Sequence, residues 1–393
     1  MSHVMNTYAR QPVAFVRGEG VWLWDDAGKK YLDALAGIAV NTLGYHHPKL
    51  TAALRKRIES GVIHTSNLWR IPDQEAAADR VAEITGLDEI FFCNSGLEAT
   101  EASIKVARKY GHDKGIAEPA IIVMEKAFHG RSLATLSATG SRKVQAGFEP
   151  LVQGFVRVPL NDLEAVRQVA EHNKNIAAVM IEPIQGEGGI NVSRMEYLRG
   201  LHEICQKQGW LFISDEVQCG LGRTGKWFVY QHAGFLPDVV ALAKGLASGV
   251  PVGACVTGGR AKGVFKPGNH GSTFGGNPLA MTAVVTTIDT VKEEGLIENA
   301  AKVGDFISSS LKNEIGSLAA DVRGRGLMIG VELKEPCGEL VLQGLNAGLV
   351  INVTADNVIR LLPPLVMSEA EGRQVVERLV PLVKAFAAKR VAA

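Results

Sequence analysis

The chain carries little net charge and has no long apolar segment. Its 393 residues sum to a net charge of +1, so no excess of positive charge favours nucleic acid or an anionic membrane. The sequence holds no apolar run of about 18 residues, and its N-terminus lacks the apolar core of a signal peptide. We therefore expect a cytoplasmic protein with no membrane span and no nucleic-acid partner.

Cysteine is scarce and scattered. An odd number of cysteines with no C-x-x-C pair argues against a disulfide framework or a structural zinc site, and suits a reducing compartment. Neither H-E-x-x-H nor G-x-S-x-G occurs, and we interpret the pair His46-His47 before Pro48 as a structural turn. No metal site is therefore predicted. The cysteines are Cys93, Cys205, Cys219, Cys255 and Cys337.

From about residue 50 the sequence alternates between helical patterns and short apolar runs. The runs are almost continuously apolar, as in strands buried on both faces, and this alternation is typical of an α/β fold with a mostly parallel sheet. The predicted strands are 89–93, 120–124, 177–181, 210–214, 238–243 and 253–257.

Different patterns flank this region. Short strand-like runs separated by glycine-containing turns predict a small N-terminal meander, and the C-terminal third reads as α+β material. We expect an N-terminal segment over residues 1–48, a large domain over 49–287 and a C-terminal segment over 288–393. The two outer segments are expected to join in one small domain.

Two of the predicted strands end in opposite charges. The run 210–214 leads into Asp215, and the run 238–243 leads into Lys244. Desolvated charges at buried strands are costly unless something compensates them, and the carboxyl ends of such strands are where ligands bind in open α/β sheets. A pyridoxal ring needs an anion at its pyridine nitrogen and a lysine amine at its aldehyde. The pair therefore indicates a pyridoxal phosphate site.

Other strand ends allow both a functional and an ordinary interpretation. Ser95-Gly96 leads straight into a helix, whose N-terminus binds anions readily; the alternative is a plain N-cap. Phe128 could stack on a planar ring and Arg131 could hold a carboxylate, or they could be a core side chain and a solvated one. The glycine-rich, hydroxyl-rich loop 270–278 could contact a phosphate or form a simple turn.

A competing pattern lies between the two charged strand ends. Residues 220–225 match G-x-G-x-x-G, the pattern of dinucleotide-binding turns, and would support an NAD(P)-dependent dehydrogenase. The preceding strand ends five residues earlier, at Asp215, and Trp227 stands where a related phosphate loop needs Ser or Thr. This pattern is therefore the weaker one.

Taken together, the motifs resemble the class III, or ornithine-type, pyridoxal-phosphate aminotransferases of fold type I. The resemblance covers essentially the whole chain and is strongest to members that act on N-acetylornithine. It implies an α/β fold with a large α/β/α domain around a mostly parallel sheet, plus a small α+β domain from the N- and C-terminal segments. The motifs are S-G-x-E-A-x-E-A at 95–102, A-F-H-G-R at 127–131, E-P-I-Q-G-E-G-G at 182–189, D-E-V-Q at 215–218, A-K-G at 243–245 and G-S-T-F-G-G-N-P at 271–278.

The resemblance implies how pyridoxal phosphate is held. Lys244 is expected to bind the cofactor aldehyde covalently and then to move a proton, while Asp215 faces the pyridine nitrogen. Thr273 is expected to reach the phosphate of a neighbouring subunit, which implies a homodimer with shared active sites. Phe128 and Val217 are expected at the two ring faces, Gln218 at the 3′ oxygen and Ser95, Gly96 and Leu97 at the phosphate, with Glu216 also in the cofactor-binding set.

The resemblance also implies a reaction and a substrate site. The expected reaction transfers the 5-amino group of N-acetylornithine to 2-oxoglutarate in arginine biosynthesis. Arg131 and Arg360 are expected to bind substrate carboxylates, Glu187 to neutralise Arg360 while the amine donor is bound, and Gly37 to leave space for an acyl group. Ser272 completes the expected substrate-binding set.

Several alternatives remain open on the sequence. Within the class they are succinylornithine, succinyldiaminopimelate, ornithine and 4-aminobutyrate aminotransferases. Outside it they are the NAD(P)-dependent dehydrogenase and a non-catalytic binding protein of the same fold, against which the joint presence of Asp215 and Lys244 argues.

Overall fold

A computed structural model describes residues 3–391 of the chain, and the side chains of residues 390 and 391 are left aside. The outermost residues of the predicted terminal segments, 1–2 and 392–393, lie outside the described residues. Among the helices in the described range, none is long and apolar enough to cross a membrane.

The N-terminal segment is an antiparallel meander, as predicted. The first strand extends to Glu19, which pairs with Trp22 of the second strand, and the register is irregular between Phe15 and Arg17. A short kinked helix follows, in which Gly37 has a left-handed backbone (φ 63°). These elements are β1 (Phe15–Glu19), β2 (Trp22–Asp25), β3 (Lys30–Asp33) and α1 (Ala36–Ala39).

The middle of the chain alternates strands and helices. Its strands are β4 (Glu89–Cys93), β5 (Ala120–Met124), β6 (Phe155–Val158), β7 (Ile176–Ile181), β8 (Ile184–Gln185), β9 (Asn191–Val192), β10 (Leu211–Asp215), β11 (Val239–Leu242) and β12 (Gly253–Thr257). Its helices are α2 (Pro48–Glu59), α3 (Pro72–Thr85), α4 (Gly96–Asp113), α5 (Leu133–Ala138), α6 (Arg142–Gln145), α7 (Leu163–His172), α8 (Met195–Gln208), α9 (Tyr230–Ala233) and α10 (Pro278–Glu293).

Seven of these strands form one sheet in the order β4-β12-β11-β10-β7-β5-β6. Every neighbouring pair is parallel except those made by β12, which runs antiparallel to both β11 and β4. All residues of β5, β7, β10, β11 and β12 are buried, which explains their continuous apolar runs. The predicted mostly parallel α/β sheet is confirmed. The carboxyl ends of its parallel strands meet along one edge.

The C-terminal part forms a smaller α+β layer. A four-stranded antiparallel sheet has the order β13-β14-β17-β16, and β15 pairs in parallel with β3. The N-terminal meander and the C-terminal part are thus joined by strand pairing, as expected. The elements are α11 (Leu296–Ile315), β13 (Ala319–Arg325), β14 (Met328–Leu333), α12 (Leu340–Asn346), β15 (Leu349–Val350), β16 (Asn352–Thr354), β17 (Val358–Leu361) and α13 (Glu369–Val391).

The expected domain limits, after residues 48 and 287, stay predictions. The limit between 287 and 288 falls inside the continuous helix α10, so a division of the chain there would cut a helix rather than a linker.

Candidate active site

The two charged strand ends converge on one cavity. β10 and β11 are parallel neighbours, with Asp215 opposite Ala241, so Asp215 and Lys244 leave the sheet at the same edge. Both line a cavity of about 380 Å³. Seven further predicted site residues line the same cavity: Ser95, Gly96, Leu97, Phe128, Arg131, Val217 and Gln218.

Asp215 is held by a histidine that the sequence did not single out. The His129 Nδ1 atom lies 2.7 Å from the Asp215 Oδ2 atom, and both side chains are almost wholly buried. Burial alone would lower the pKa of His129, but the hydrogen bond and the charge of Asp215 outweigh burial and raise the pKa. The Val217 N–H donates to the other carboxylate oxygen at 3.1 Å. The carboxylate therefore has a fixed orientation, and its histidine partner holds a proton more tightly than an ordinary imidazole does.

Lys244 lies in a tight turn directly after β11. Its backbone is left-handed (φ 46°), and the Thr42 hydroxyl donates to the carbonyl oxygen of Gly245 at 2.9 Å. A side chain at Gly245 would collide with that hydroxyl, 2.6 Å from its Cβ position. Burial lowers the pKa of Lys244, and the charge of Arg360 adds to this, whereas Glu187 opposes it. The turn thus presents an amine that loses its proton more readily than an ordinary lysine.

The cavity also contains a helix N-terminus. Ser95 caps α4, where its hydroxyl accepts from the Glu98 N–H at 3.2 Å. A Cβ atom at Gly96 would lie 2.6 Å from Val217 Cγ1, so only glycine fits between this turn and the end of β10. The N-terminus of this long helix therefore opens directly into the cavity and favours an anionic group there.

Phe128 and Arg131 lie on the same loop after β5. The guanidinium of Arg131 is 5.6 Å from the centre of the Phe128 ring. The Phe128 N–H donates at 2.7 Å to Glu182, a buried carboxyl group that also lines the cavity. Burial raises the pKa of Glu182 above its usual range, against the opposing charge of His129.

Glu187 and Arg360 form an ion pair beside the cavity. Arg360 Nη1 donates to Glu187 Oε1 at 2.5 Å and to Gln218 Oε1 at 3.1 Å, and Arg360 is almost wholly buried. Its Nε donates to Asn352 Oδ1 at 3.1 Å. Burial alone would raise the pKa of Glu187, but Arg360 lowers it. Gln218 connects this pair to the cavity wall.

Besides Glu187 and Arg360, four predicted site residues do not line this cavity. The carboxyl group of Glu216 is directed away from the cavity and accepts from the Val229 N–H at 2.8 Å. Ser272 is one contact away, because its hydroxyl accepts from Asn94, a cavity residue, at 3.2 Å. Thr273 is exposed in the single chain, and Gly37 is exposed one turn before Val40, which does line the cavity.

The glycine pattern at 220–225 serves packing. A Cβ atom at Gly222 would lie 3.1 Å from Ile297, and one at Gly225 would lie 2.9 Å from Ala301, so both glycines pack closely against α11. A dinucleotide-binding turn would instead leave its glycines open to a ligand. The segment therefore gives no support to the dehydrogenase alternative.

The cavity provides the groups that pyridoxal phosphate requires. It combines a buried anion–histidine pair, a lysine with a lowered pKa and a helix N-terminus, with Phe128 and Val217 on its walls. His129 Nε2 is buried without a hydrogen-bond partner among the described residues. These groups fit the cofactor and define a transferase site of the pyridoxal-phosphate type.

Comparisons with known proteins place the chain in a family. Residues 4–383 match the family model described as "Aminotransferase class-III". The chain is 56% identical over 393 residues to the acetylornithine aminotransferase of Nitrosomonas europaea, covering 100% of both chains. The chain belongs to the class III aminotransferases, which are pyridoxal-phosphate-dependent enzymes.

Solved structures agree with this assignment. The ornithine aminotransferase of Toxoplasma gondii superposes with a TM-score of 0.94 at 33% identity, covering 98% of this chain and 94% of that one. The acetylornithine aminotransferase of Elizabethkingia anophelis gives a TM-score of 0.88 at 36% identity, covering 98% and 96%. The predicted fold type I architecture and the predicted class are thereby confirmed.

Proposed function

We propose that this aminotransferase moves the 5-amino group of N-acetyl-L-ornithine to 2-oxoglutarate, a step of arginine biosynthesis. The observation that carries the proposal is the Arg360–Glu187 ion pair, whose charges act on Lys244, together with Arg131 on the cavity wall, which has no ion pair among the described residues. The end of the donor molecule that carries the 5-amino group has no carboxylate. While this donor is bound, Glu187 neutralises the charge of Arg360. The acceptor brings a carboxylate for each arginine. The relative from N. europaea, named an acetylornithine aminotransferase, supports the same assignment.

The proposed roles divide between binding the cofactor and moving the proton. Pyridoxal phosphate, when bound, would supply an electron sink for the negative charge that develops on the substrate carbon. Lys244 would hold the cofactor, and its neutral Nζ would take the proton from the substrate carbon bearing the amino group. Asp215 keeps a negative charge opposite the pyridine nitrogen. Phe128 and Val217 restrain the ring, Gln218 binds its 3′ oxygen, and Ser95, Gly96 and Leu97 bind the phosphate.

The substrate roles follow from charge and space. Arg131 is proposed to bind the donor α-carboxylate and the distal carboxylate of 2-oxoglutarate, and Arg360 the carboxylate beside the ketone. Gly37 is proposed to leave room for the acyl group, because a Cβ there would meet only Asn41 and Val40 within 4 Å. Ser272 lies one contact from the cavity and is proposed to complete the substrate set with a partner subunit.

We further propose a cytoplasmic homodimer with shared sites. Large apolar side chains are exposed beside the Thr273 loop: Leu68 is 85%, Trp69 72% and Phe274 60% exposed. Asn67 donates to Ser272 O at 3.0 Å and to Gly275 O at 2.8 Å, so the two loops form one surface. An exposed apolar surface of this kind is typical of a protein–protein interface. A second copy bound there would bring Thr273 to the phosphate site of the neighbouring subunit. Sedimentation equilibrium checks the mass.

The test compares donors with the purified enzyme. We expect a yellow protein whose kcat/KM is higher for N-acetylornithine than for ornithine or 4-aminobutyrate. Lys244→Ala should abolish both turnover and the yellow absorbance, whereas Lys226→Ala, at an exposed lysine elsewhere, should leave both unchanged. A preference for free ornithine would overturn the substrate assignment, and a colourless protein would overturn the roles given to Lys244.

A further inference from the structure

Asp33 is a buried carboxylate to which the proposed reaction gives no role. It ends β3 and is only 1% exposed. Its Oδ1 atom accepts from the Leu35 N–H at 2.8 Å and from the Ala36 N–H at 3.0 Å, and its Oδ2 atom accepts from the Tyr45 hydroxyl at 2.6 Å. Burial of a carboxylate is costly, and this one is compensated by donors that it fixes in place. Asp33 therefore anchors the start of the segment that follows it.

The segment that Asp33 anchors is a left-handed turn. Residues 36–39 all have positive φ, at 51°, 63°, 68° and 62°, although only Gly37 among them is a glycine. This conformation is unfavourable for other L residues, so it persists only where the surrounding structure determines it. The Val40 N–H closes the turn by donating to Ala36 O at 2.8 Å, and Val40 lines the catalytic cavity. The strain therefore lies directly beside the candidate active site.

The residues after the turn hold the backbone around Lys244. The Thr42 hydroxyl donates to Gly245 O at 2.9 Å, and the Leu43 N–H donates to Ser248 Oγ at 2.9 Å. The backbone that they hold is itself left-handed at Lys244 (φ 46°) and at Ser248 (φ 44°). These two bonds therefore restrain the turn that carries the amine near both of its ends.

Tyr45 connects the end of this segment to its start. The Tyr45 hydroxyl donates to Asp33 and accepts from Asn41 Nδ2 at 3.2 Å. Asn41 also lies against the cavity wall, because a Cβ atom at Gly249 would be 3.1 Å from Asn41 Oδ1. Residues 33–45 thus form one unit, closed by side chains, that contacts the backbone around Lys244.

We propose that Asp33 is a positioning residue for the transamination reaction. With Tyr45 it fixes the left-handed turn, and through Thr42 it sets the direction of the Lys244 amine. The inference rests on the role proposed for Lys244 and extends it to a residue that does not line the cavity. Displacement of a reacting group by about 1 Å can lower a rate about a hundredfold, so hydrogen bonds at this distance from the amine can affect turnover.

The same meander contains a matched control. Asp25 ends β2 and is also buried. Its Oδ1 atom accepts from the N–H groups of Ala27 and Lys29 at 3.0 and 2.8 Å, and its Oδ2 atom accepts from the Tyr31 hydroxyl at 2.7 Å. This carboxylate–tyrosine pair has the same chemistry as the pair at Asp33, but neither of its members lines the catalytic cavity. Loss of either pair should destabilise the small domain, whereas only the loss at Asp33 should reach the cavity.

The kinetic test compares the two carboxylates in the holoenzyme. Asp33→Asn leaves one oxygen, which cannot serve both the backbone N–H groups and Tyr45. The single-turnover rate constant with glutamate should fall about tenfold, while the half-saturating glutamate concentration changes less than about twofold. The circular dichroism of the yellow absorbance, which depends on how the cofactor is oriented, should weaken. Asp25→Asn should change all three quantities less than about twofold, and equal effects of the two variants would overturn the proposal.

Thr42 tests the route from Asp33 to the amine. Thr42→Val should reproduce the loss of rate seen in Asp33→Asn, and Thr42→Ser, which keeps the hydroxyl, should restore the rate to within about twofold of the unmodified enzyme. In Asp33→Asn/Thr42→Val the two losses should be less than additive, because both act on the backbone around Lys244. Full additivity would contradict the route.

Lys244→Ala separates this inference from the proposed function. If that variant stays yellow and active, the role proposed for Lys244 fails and the positioning role fails with it. If it loses both properties while Asp33→Asn behaves like Asp25→Asn, the role of Lys244 stands and only the positioning role of Asp33 is refuted.

Discussion

His129 Nδ1 lies 2.7 Å from Asp215 Oδ2 at the floor of the catalytic cavity, and both side chains are shielded from solvent. The histidine follows β5 and the aspartate ends β10, two strands that are separated in the sheet by β7. The pair couples the protonation of an imidazole to the anion that faces the cofactor site. It makes His129 a positioning residue that acts through Asp215.

The pair predicts a pH-dependent contribution to stability. The pKa of His129 is raised above its ordinary value of 6.5, so the charged pair is fully present below pH 6.5 and is lost as the pH rises through the folded-state pKa. His129→Gln should therefore lower the free energy of unfolding by about 1.5–3 kcal/mol at pH 6, and by less at pH 9. Urea unfolding at the two pH values measures this. A loss independent of pH would contradict the assignment of a charged pair.

The buried carboxyl group of Glu216 predicts a second pH-dependent contribution to stability. Burial raises its pKa from 4.5 to about 7, so the folded state binds a proton there that the unfolded chain has lost. Its contribution is present below pH 4.5 and is lost as the pH rises to about 7, a change on the order of 3 kcal/mol. Glu216→Gln keeps an oxygen for the Val229 N–H and should flatten the stability profile over this range. Chemical unfolding from pH 4.5 to 7.5 tests it, and an unchanged slope would refute it.

Glu187 predicts a change in donor preference. Without its charge, Arg360 keeps Gln218 and Asn352 as its side-chain partners among the described residues, and it is left as a buried cation beside the incoming alkylamine. Glu187→Gln should favour α-amino donors such as glutamate over ω-amines, by about tenfold in the ratio of kcat/KM. Single-turnover measurements with the two donors give that ratio directly. Unchanged relative kinetics for the two donors would contradict the role of the ion pair.

The close approach of Gly96 to Val217 predicts a steric effect that a second change relieves. A Cβ atom at residue 96 would lie 2.6 Å from Val217 Cγ1, too close without movement of the strand end. Gly96→Ala should lower the free energy of unfolding by about 1–3 kcal/mol, and Gly96→Ala/Val217→Ala should recover part of the loss. Thermal unfolding of the cofactor-free protein measures both. Additive losses in the double variant would show that the two residues do not interact.

The sequence alone predicts the two strand ends well, but it does not predict the residues, distant in sequence, that contact the site. Buried strands have continuous apolar runs, so Asp215 and Lys244 stand out where those runs stop. His129 belongs to the motif that contains Phe128, yet the local sequence does not show that its ring will contact Asp215, which lies 86 residues further along the chain. Arg360 and Glu187 were expected together only through the family resemblance.

Four strands of the fold were not predicted: β6, β8, β9 and β13, of which β8 and β9 are only two residues long. β6 is a partly exposed edge strand containing Arg157, so its pattern lacks a continuous apolar run. β13 contains charged and glycine residues and is mostly not buried, and its pairing with β14 supplies the order that its composition does not suggest. The direction of β12 was also unpredictable, because a buried antiparallel strand has the same apolar run as a parallel one.

The pairing of β3 with β15 has a consequence for synthesis of the chain. Leu32 is aligned with Leu349, so the first sheet to emerge from the ribosome lacks its last strand until nearly the whole polypeptide has been made. At ~5–20 residues per second, elongation between these positions takes on the order of 15–60 s. During that time β3 has no partner strand on one side, while the central sheet can already fold. Completion of the small domain is therefore a late event in the synthesis of the chain, and shortened nascent chains should retain a protease-sensitive N-terminus.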